Sequence, residues 1–344
     1  YRTMVEAVAM RTSGLGGDSE VHFVSEGLSG GVTLGPKRVL PLSLMAHESP
    51  EVVLPALAKQ MRASILGEFD GMFVRALAGI DSGGLNDRDI DVLGRIGHRT
   101  QPLGEVLKTR MEALSLRRLV ERGLLQVGGL TPSDASHALG GLDLWNHEAA
   151  IMGLKLFGRR RTGSGDQLAV DPLAMAKIIV DRLTYQTGQA LLLTAFAEEE
   201  AAYNGVPIEL AQNELLQRGL ARASGLVKIE AGLNVDVIGL GASASTYYPA
   251  VGKALHCNVI VPEHAEVANA IGAVVGRITM RRTGTVTSPS EGVFRVHFTQ
   301  GPKDFLAEGD ALKALENYLI LQAEKDARDS GSEDIQTRTE YDIR

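Results

Sequence analysis

Three groups of residues have the types and the spacing that bind anionic or carbonyl-bearing ligands. The first is the GLGGDS loop, Gly14–Ser19, in which glycines offer backbone amides at unusual φ angles and Ser19 offers a hydroxyl. Such a loop can hold a phosphate or an oxyanion. We interpret it as a catalytic or substrate-facing loop, with a simple β-turn as the alternative. The carboxylate of Asp18 would repel a phosphate unless a metal such as Mg²⁺ lay between them. Asp18 is therefore either a metal contact or a sign that the loop binds no phosphate.

The second group lies between Val235 and Arg277. A short apolar strand up to Ile238 is ended by Gly239 and Gly241, after which an apolar pattern resumes at helical spacing. A glycine turn between a strand and a helix brings backbone amides close to a ligand, and the helix points its positive end at anionic groups. The pattern predicts a nucleotide-binding turn, although glycines also follow strands in α/β proteins for structural reasons alone.

The third group begins a predicted helix at Thr131. Thr131 suits the N-cap, Pro132 suits the first helical position, and Asp134 is the third residue of the first turn. Asp134 either orients a substrate or metal, or only caps its own helix, and the sequence favours neither interpretation. His137 in the next turn is expected to be a packed or exposed histidine rather than a ligand.

The composition predicts an ordinary globular protein with two or three domains or subdomains. The chain has 344 residues, 44% hydrophobic and 22% charged, and no run of about 18 apolar residues that would cross a membrane. Cys257 is its one cysteine, which excludes an internal disulfide and a cysteine-cluster metal site, and a cytoplasmic location is therefore expected. The net charge of −7 makes nucleic-acid binding an unlikely function. The 39 glycines favour a ligand-binding α/β protein.

Along the chain, residues 87–128 differ from their surroundings. They read as three short helices and a short apolar run, which predicts a winged-helix-like insert. Arg117, Arg118 and Arg122 on the third helix could contact phosphates, or could simply solvate an exposed helix face. We expect residues 1–86 and 129–300 to form one discontinuous core, and residues 301–344 to form a carboxy-terminal helix and tail.

Other elements follow from local signals. The pair Asp171 and Pro172 is expected to begin a long helix. The basic residues 159–161 are expected to favour the carboxyl end of their own helix. Two strands, at 283–288 and 292–298, and a final helix at 306–330 are predicted towards the end of the chain.

Taken together, the motifs resemble the hydantoinase/5-oxoprolinase family of the actin-like ATPase superfamily. The resemblance rests on TSGLGGDSEV at Thr12–Val21, the Gly35-Pro36 step, the passage Gly129–Gly140, and the segment Val235–Arg277, in which a glycine turn followed by YYP leads to PEHAEVANAIGAVVGR. Two positions depart from the family pattern. Asp18 stands where the family usually has a third glycine, and Ser136 stands where it has an asparagine.

The resemblance implies an α/β fold, the carboxy-terminal half of an actin-like (ribonuclease H-like) ATPase, and it implies roles for particular residues. Those expected in catalysis are Asp18, Ser19 and Asp134, with Asp18 also as a metal contact. Those expected to contact ATP are Gly16, Gly17, Gly239, Gly241, Ala242, Ser243 and Glu263.

For the intact protein the resemblance implies ATP-dependent ring opening of a cyclic amide such as a hydantoin or 5-oxoproline, with ATP and Mg²⁺ as cofactors. The expected partners are this substrate and either a second copy (a homo-oligomer) or a second hydantoinase subunit. The family's D-x-G-x-T phosphate hairpins precede the GLGGDS passage, so we expect this chain to be a carboxy-terminal portion that does not hydrolyse ATP alone. The alternative is a nucleotide-responsive regulator or scaffold with a winged-helix interaction module.

Overall fold

The computed structural model describes residues 10–25, 27, 30–79, 83–109, 111–199, 205–275, 280–331 and 334–341. The protein is mixed α/β, and its described strands form small sheets of two to four strands. The chain divides into two compact units: one spans residues 11–268, and the other comprises the part from residue 269 onwards together with the residues up to Met10. None of the described helices is both long enough and apolar enough to span a membrane.

The first unit contains eight of the described strands and eleven of the described helices. The strands are β1 (Ser19–Val24), β2 (Gly31–Arg38), β3 (Leu40–Pro41), β4 (Phe73–Ala76), β5 (Gln101–Pro102), β6 (Leu125–Gly129), β7 (Val237–Ile238) and β8 (Val259–Ile260). The helices are α1 (Leu42–Glu48), α2 (Pro50–Arg62), α3 (Asp87–Ile96), α4 (Leu103–Val106), α5 (Glu112–Glu121), α6 (Pro132–Ala138), α7 (His147–Gly158), α8 (Pro172–Glu198), α9 (Pro207–Ala211), α10 (Glu214–Leu220) and α11 (Ala244–Leu255). A 3₁₀ turn (Ala265–Val267) and α12 (Ala268–Val275) follow at the division between the units.

Two parallel strands bring two helix starts together. β3 and β6 pair in parallel, with Pro41 opposite Gly129, in a four-stranded sheet of order β3-β6-β4-β5. Parallel strands end at the same sheet edge. The helices that follow them, α1 and α6, therefore begin side by side.

The core of the first unit lies around α8. This helix packs against α6, α7 and α11, and Asp171 caps its start by accepting from the amide of Ala174 at 2.8 Å, as predicted. Close approaches depend on glycine, because a Cβ on Gly128 would lie 2.6 Å from Cγ of Met45. The largest wholly buried core residues include Leu42, Met45, Leu57, Phe73, Leu154, Met175 and Ile179.

The helices predicted within residues 87–128 form, as α3, α4 and α5. They share a separate hydrophobic cluster with β4 and β6, and this cluster includes Val74 and Leu125. β4 lies before residue 87 and pairs antiparallel with β6 over four residues, from Phe73 to Ala76. The sheet of this region is thus completed by a strand from outside the predicted insert.

The second unit has its own sheet and core. Its strands β9 (Val286–Ser290), β10 (Val293–Phe298) and β11 (Gly301–Phe305) are antiparallel, with β10 in the centre, and α13 (Glu308–Asp329) packs on them. Val296, Ala311 and Leu315 form the buried cluster. The two predicted strands and the final helix are confirmed. The sequence does not predict β11, because its residues are mostly exposed and lack an apolar alternation.

Candidate functional site

Asp134 joins the two neighbouring helix starts. Its Oδ1 accepts hydrogen bonds from the amide and the hydroxyl of Ser43, at 2.8 and 2.6 Å. Its Oδ2 accepts from the amide of Leu42 at 3.1 Å, and from the amide and the hydroxyl of Thr131, both at 2.9 Å. With Thr131 it forms a capping box for α6, so the capping interpretation is confirmed.

The environment of Asp134 is closed to solvent. Burial raises the pKa of Asp134, while the hydrogen bonds from Ser43, Thr131 and Leu42 act in the opposite direction. Every hydrogen bond to this carboxylate comes from the protein's own groups. Asp134 therefore fixes the positions of α1 and α6, and a direct role towards substrate or metal stays a prediction.

Gly17 lies where the three sequence motifs meet. Its carbonyl oxygen accepts from the amide of Ser133 at 2.9 Å and from the Ser133 hydroxyl at 2.8 Å. A Cβ on Gly17 would lie 2.9 Å from Oγ of Ser133, 3.6 Å from Cε2 of Tyr247 and 3.7 Å from Oγ of Ser243. The GLGGDS loop, the start of α6 and the start of α11 thus converge, although they are up to 230 residues apart.

Four hydroxyl side chains surround this meeting point, and we call them the hydroxyl cluster: Ser133, Ser136, Ser243 and Tyr247. The Ser136 hydroxyl donates to the Tyr247 hydroxyl at 2.9 Å, and both side chains are buried. Burial raises the pKa of Tyr247. Tyr247 therefore stays protonated at neutral pH, and its phenol proton can be donated to an acceptor such as a carbonyl oxygen.

The GLGGDS loop is held by its own residues and by β2. Ser19 is fully buried, and its Oγ accepts from the amide of Gly16 at 2.8 Å. Asp18 Oδ2 accepts from Nε of Arg38 at 2.7 Å in a partly exposed ion pair. A Cβ on Gly14 would lie 2.7 Å from Cβ of Pro36, so the loop packs against the Gly35-Pro36 step. Ser19 and Asp18 thus shape the loop, and their predicted catalytic roles remain untested.

The residues predicted to hold a nucleoside lie at the start of α11 and just before it. Ser243 is the N-cap of α11, yet its side chain makes no capping hydrogen bond. Gly241 has a φ angle of 113°, a conformation that only glycine adopts readily, and there is open space where a Cβ would be. A Cβ on Gly239 would lie 3.0 Å from Cγ of Tyr248, so this glycine makes room for that ring. Ala242, between Gly241 and Ser243, is exposed.

Glu263 does not join the hydroxyl cluster through any described contact. Its side chain is 89% exposed and lies 3.7 Å from Nε2 of His264. Its predicted contact with a nucleotide stays a prediction.

The start of α11 offers few donors to a nucleoside. The Ser243 side chain makes no capping hydrogen bond, whereas the amides of Gly239 and Gly241 already donate to carbonyl oxygens of the protein. Asp18, the predicted metal contact, is engaged by Arg38, and no group of three or more His, Cys, Asp or Glu residues is placed to hold a metal within the described part of the chain.

The arginines of α5 were candidates for phosphate contacts or for solvation. Arg118 instead forms a two-point ion pair with Asp89 on α3, at 2.6 and 3.0 Å. Arg122 donates to the carbonyl oxygen of Gly83 at 2.7 Å. Arg117 is exposed and, unlike the other two, has no ion pair or side-chain hydrogen bond within the described residues. These arginines chiefly hold their own region together.

Comparison of the chain with protein-family models, curated proteins and solved structures finds no match. No role was expected from the sequence for Ser133 or Tyr247, which both lie beside Gly17. The adjacent tyrosines Tyr247 and Tyr248 at the start of a helix were a signal that a hydroxyl could lie there. The sequence does not show, however, that Ser136 lies beside Tyr247.

Proposed function

We propose that this chain provides the substrate-facing and nucleoside-contacting surface of an ATP-dependent cyclic amidohydrolase of the hydantoinase/5-oxoprolinase type, in an actin-like fold. The observation that carries the proposal is the meeting of the three motifs around Gly17. These motifs are the same passages whose sequence resembles the family. If the three resemblances had arisen by chance, the three segments would not be expected to lie together in the folded protein.

The hydroxyl cluster suits a cyclic amide. A hydantoin or lactam ring presents carbonyl oxygens and an N–H group, which pair with hydroxyl donors and acceptors. Tyr247 accepts from Ser136 and also interacts with Ser133, and its phenol proton would be donated to a carbonyl oxygen of the bound ring. The carbonyl of Gly17 is occupied by Ser133, which fixes the loop beside the cluster.

The role of this chain's residues is binding and orientation. Tyr247 would orient the amide carbonyl as a neutral donor, and the Ser243 hydroxyl, which makes no capping hydrogen bond, would contact the nucleoside from the start of α11. When bound, ATP activates the amide oxygen and makes the ring carbon open to attack by water. Asp134 fixes the start of α6 against the start of α1 and so keeps Ser133 and Ser136 in place.

Binding of ADP, hydantoin and 5-oxoproline to the chain, measured by calorimetry and ligand-observed NMR, tests the proposal. We expect Tyr247→Phe to weaken binding of the cyclic amide about 5-fold, which corresponds to one lost hydrogen bond. Tyr248→Phe is the matched control, because Tyr248 lies next in the chain but packs on Gly239. Ser243→Ala should weaken ADP and leave the cyclic amide unchanged. Failure of both ligand classes to bind the wild-type chain would sink the proposal.

The alternative, a regulator that contacts nucleic acid through α5, has less support. Arg118 and Arg122 are engaged within the protein, and the chain carries a net charge of −7. No described contact favours it over the enzyme.

A further inference from the structure

A groove lined by basic side chains lies at the opposite end of α11 from the hydroxyl cluster. It is a shallow groove that is open to solvent, with a volume of about 510 Å³. α11 has 12 residues, so its two ends are about 18 Å apart at 1.5 Å per residue. The residues that line it are Arg222, Pro249, Gly252, Lys253, His256, Cys257, Asn258 and Val259.

The charge of the groove is unusual for this protein. The chain carries a net charge of −7, yet no carboxylate lines the groove, and Arg222, Lys253 and His256 face it together. Neither Arg222 nor Lys253 has an ion-pair partner among the described residues. Cationic side chains without ion-pair partners, gathered in one open groove, can bind an anionic group from solution.

The backbone gives a second, independent observation. Three non-glycine residues in the described part of the chain have positive φ, and two of them, Arg222 at 46° and His256 at 51°, line this groove. His256 ends α11, a position where glycine is the usual residue because it has no Cβ penalty. Strained residues kept at positions that favour glycine indicate that the side chain itself is needed.

His256 is also oriented. Its Nε2 donates to the carbonyl oxygen of Leu220 at 2.8 Å, because a carbonyl can only accept. This bond ties the end of α11 to the end of α10, two residues before Arg222. The two strained residues are therefore held in a fixed relation to each other.

Cys257 lines the groove but does not add a reactive thiolate to it. Burial raises the pKa of its thiol, so the thiolate form is disfavoured. Gly252 lies in the floor, where a Cβ would lie 2.6 Å from Cγ2 of Val259. This glycine lets β8 approach α11 and so shapes the groove.

We propose that this groove is a binding site for a small anionic molecule that carries a phosphate or carboxylate group, held by Arg222, Lys253 and His256. The site is separate from the hydroxyl cluster and does not depend on the function proposed for it. Asn258 offers a further amide at the edge of the groove.

Calorimetric titration of the chain with inorganic phosphate, pyrophosphate and citrate at about 20 mM and about 150 mM salt tests the site. We expect saturable binding of at least one of these probes. A preference for pyrophosphate over citrate would assign a phosphate ligand, and the reverse order would assign a carboxylate. Arg222→Gln and Lys253→Gln should each weaken binding about 10-fold or more.

The matched control is Lys155→Gln, because Lys155 is also exposed in the last turn of a 12-residue helix, α7. It should leave binding unchanged. Arg222→Gly separates binding from folding, since glycine relieves the positive φ. This variant should keep or raise the urea midpoint of unfolding and lose the anion. Absence of binding by all three probes, or equal weakening by Lys155→Gln and Lys253→Gln, would overturn the proposal.

Discussion

Two buried polar side chains of α6 differ sharply in how their polar atoms are satisfied. Asp134 accepts five hydrogen bonds, whereas neither ring nitrogen of His137 has a partner among the described residues. His137 is 1% exposed, and its ring lies against Trp145 with the centroids 5.4 Å apart. A buried polar group without a partner costs stability. Of the two placements expected for His137, packed or exposed, the structure shows the packed one, and this histidine is a weak point in the first unit.

The titration of His137 gives a pH prediction. Burial lowers the pKa of His137, and nearby His147 lowers it further, while Asp134 and Asp143 raise it. Because the folded-state pKa lies below the unfolded value of about 6.5, the unfolded state binds more protons below that pH. The stability is therefore fully present above about pH 6.5 and is lost as the pH falls below it.

We expect His137→Leu to raise the free energy of unfolding by about 1 kcal/mol at pH 8, and by more at pH 5.5. Urea denaturation followed by circular dichroism at both pH values measures this. His47→Gln is the control, since His47 is exposed in the last turn of α1 and does not contribute to the pKa shift of His137. Parallel pH profiles for the wild type and His137→Leu would contradict the assignment.

Among the elements, α3 and α5 are joined by two ion pairs. Asp89 on α3 pairs with Arg118 on α5, and Arg95 on α3 pairs with Glu112 on α5 at 2.7 Å. Asp89 is only 3% exposed, so its charge depends on this partner. The polar contacts complement the separate hydrophobic cluster that these helices share.

Asp89→Asn should destabilise the protein by about 2 kcal/mol at pH 7. The hydrogen bond from Arg118 is the main cause that lowers the pKa of Asp89. A lowered carboxyl pKa gives stability that is present above about pH 4 and is lost as the pH falls through the folded-state value. The difference between wild type and variant should therefore shrink below about pH 3.5, measured by urea midpoints. Asp87→Asn, an exposed acid in the same helical turn, should change stability much less.

At the scale of the whole molecule, each of the two units has its own core. Trp145, the one tryptophan of the chain, lies in the first unit, and Val296 is fully buried in the second. Fluorescence therefore reports on the first unit, whereas far-ultraviolet circular dichroism reports on both.

Val296→Ala should lower the stability of the second unit by about 2 kcal/mol, because it leaves a cavity. We expect it to move part of the circular dichroism transition in urea and to leave the Trp145 fluorescence transition in place. Val53→Ala, in the core of the first unit, should move the fluorescence transition instead. A common shift of both signals in both variants would show that the chain unfolds as one cooperative unit.

The sequence by itself determined features that depend on neighbouring residues. The caps Thr131 and Asp171, and the helices that they begin, could be predicted because a cap bonds to an amide two or three residues ahead. The amphipathic helices of residues 87–121 followed from apolar spacing for the same reason. Strands of two residues, such as β3 and β7, carry too little pattern to predict their pairing.

The tertiary structure decided what depends on distant residues. Arg159 was expected to serve the end of its own helix, but it donates to the carbonyl oxygens of Met61 and Ala63 at the end of α2. Gly17, Ser133 and Tyr247 become neighbours only when β1, α6 and α11 pack. Their types could be read from the sequence, but their proximity could not, because it arises from side-chain packing between segments more than 100 residues apart.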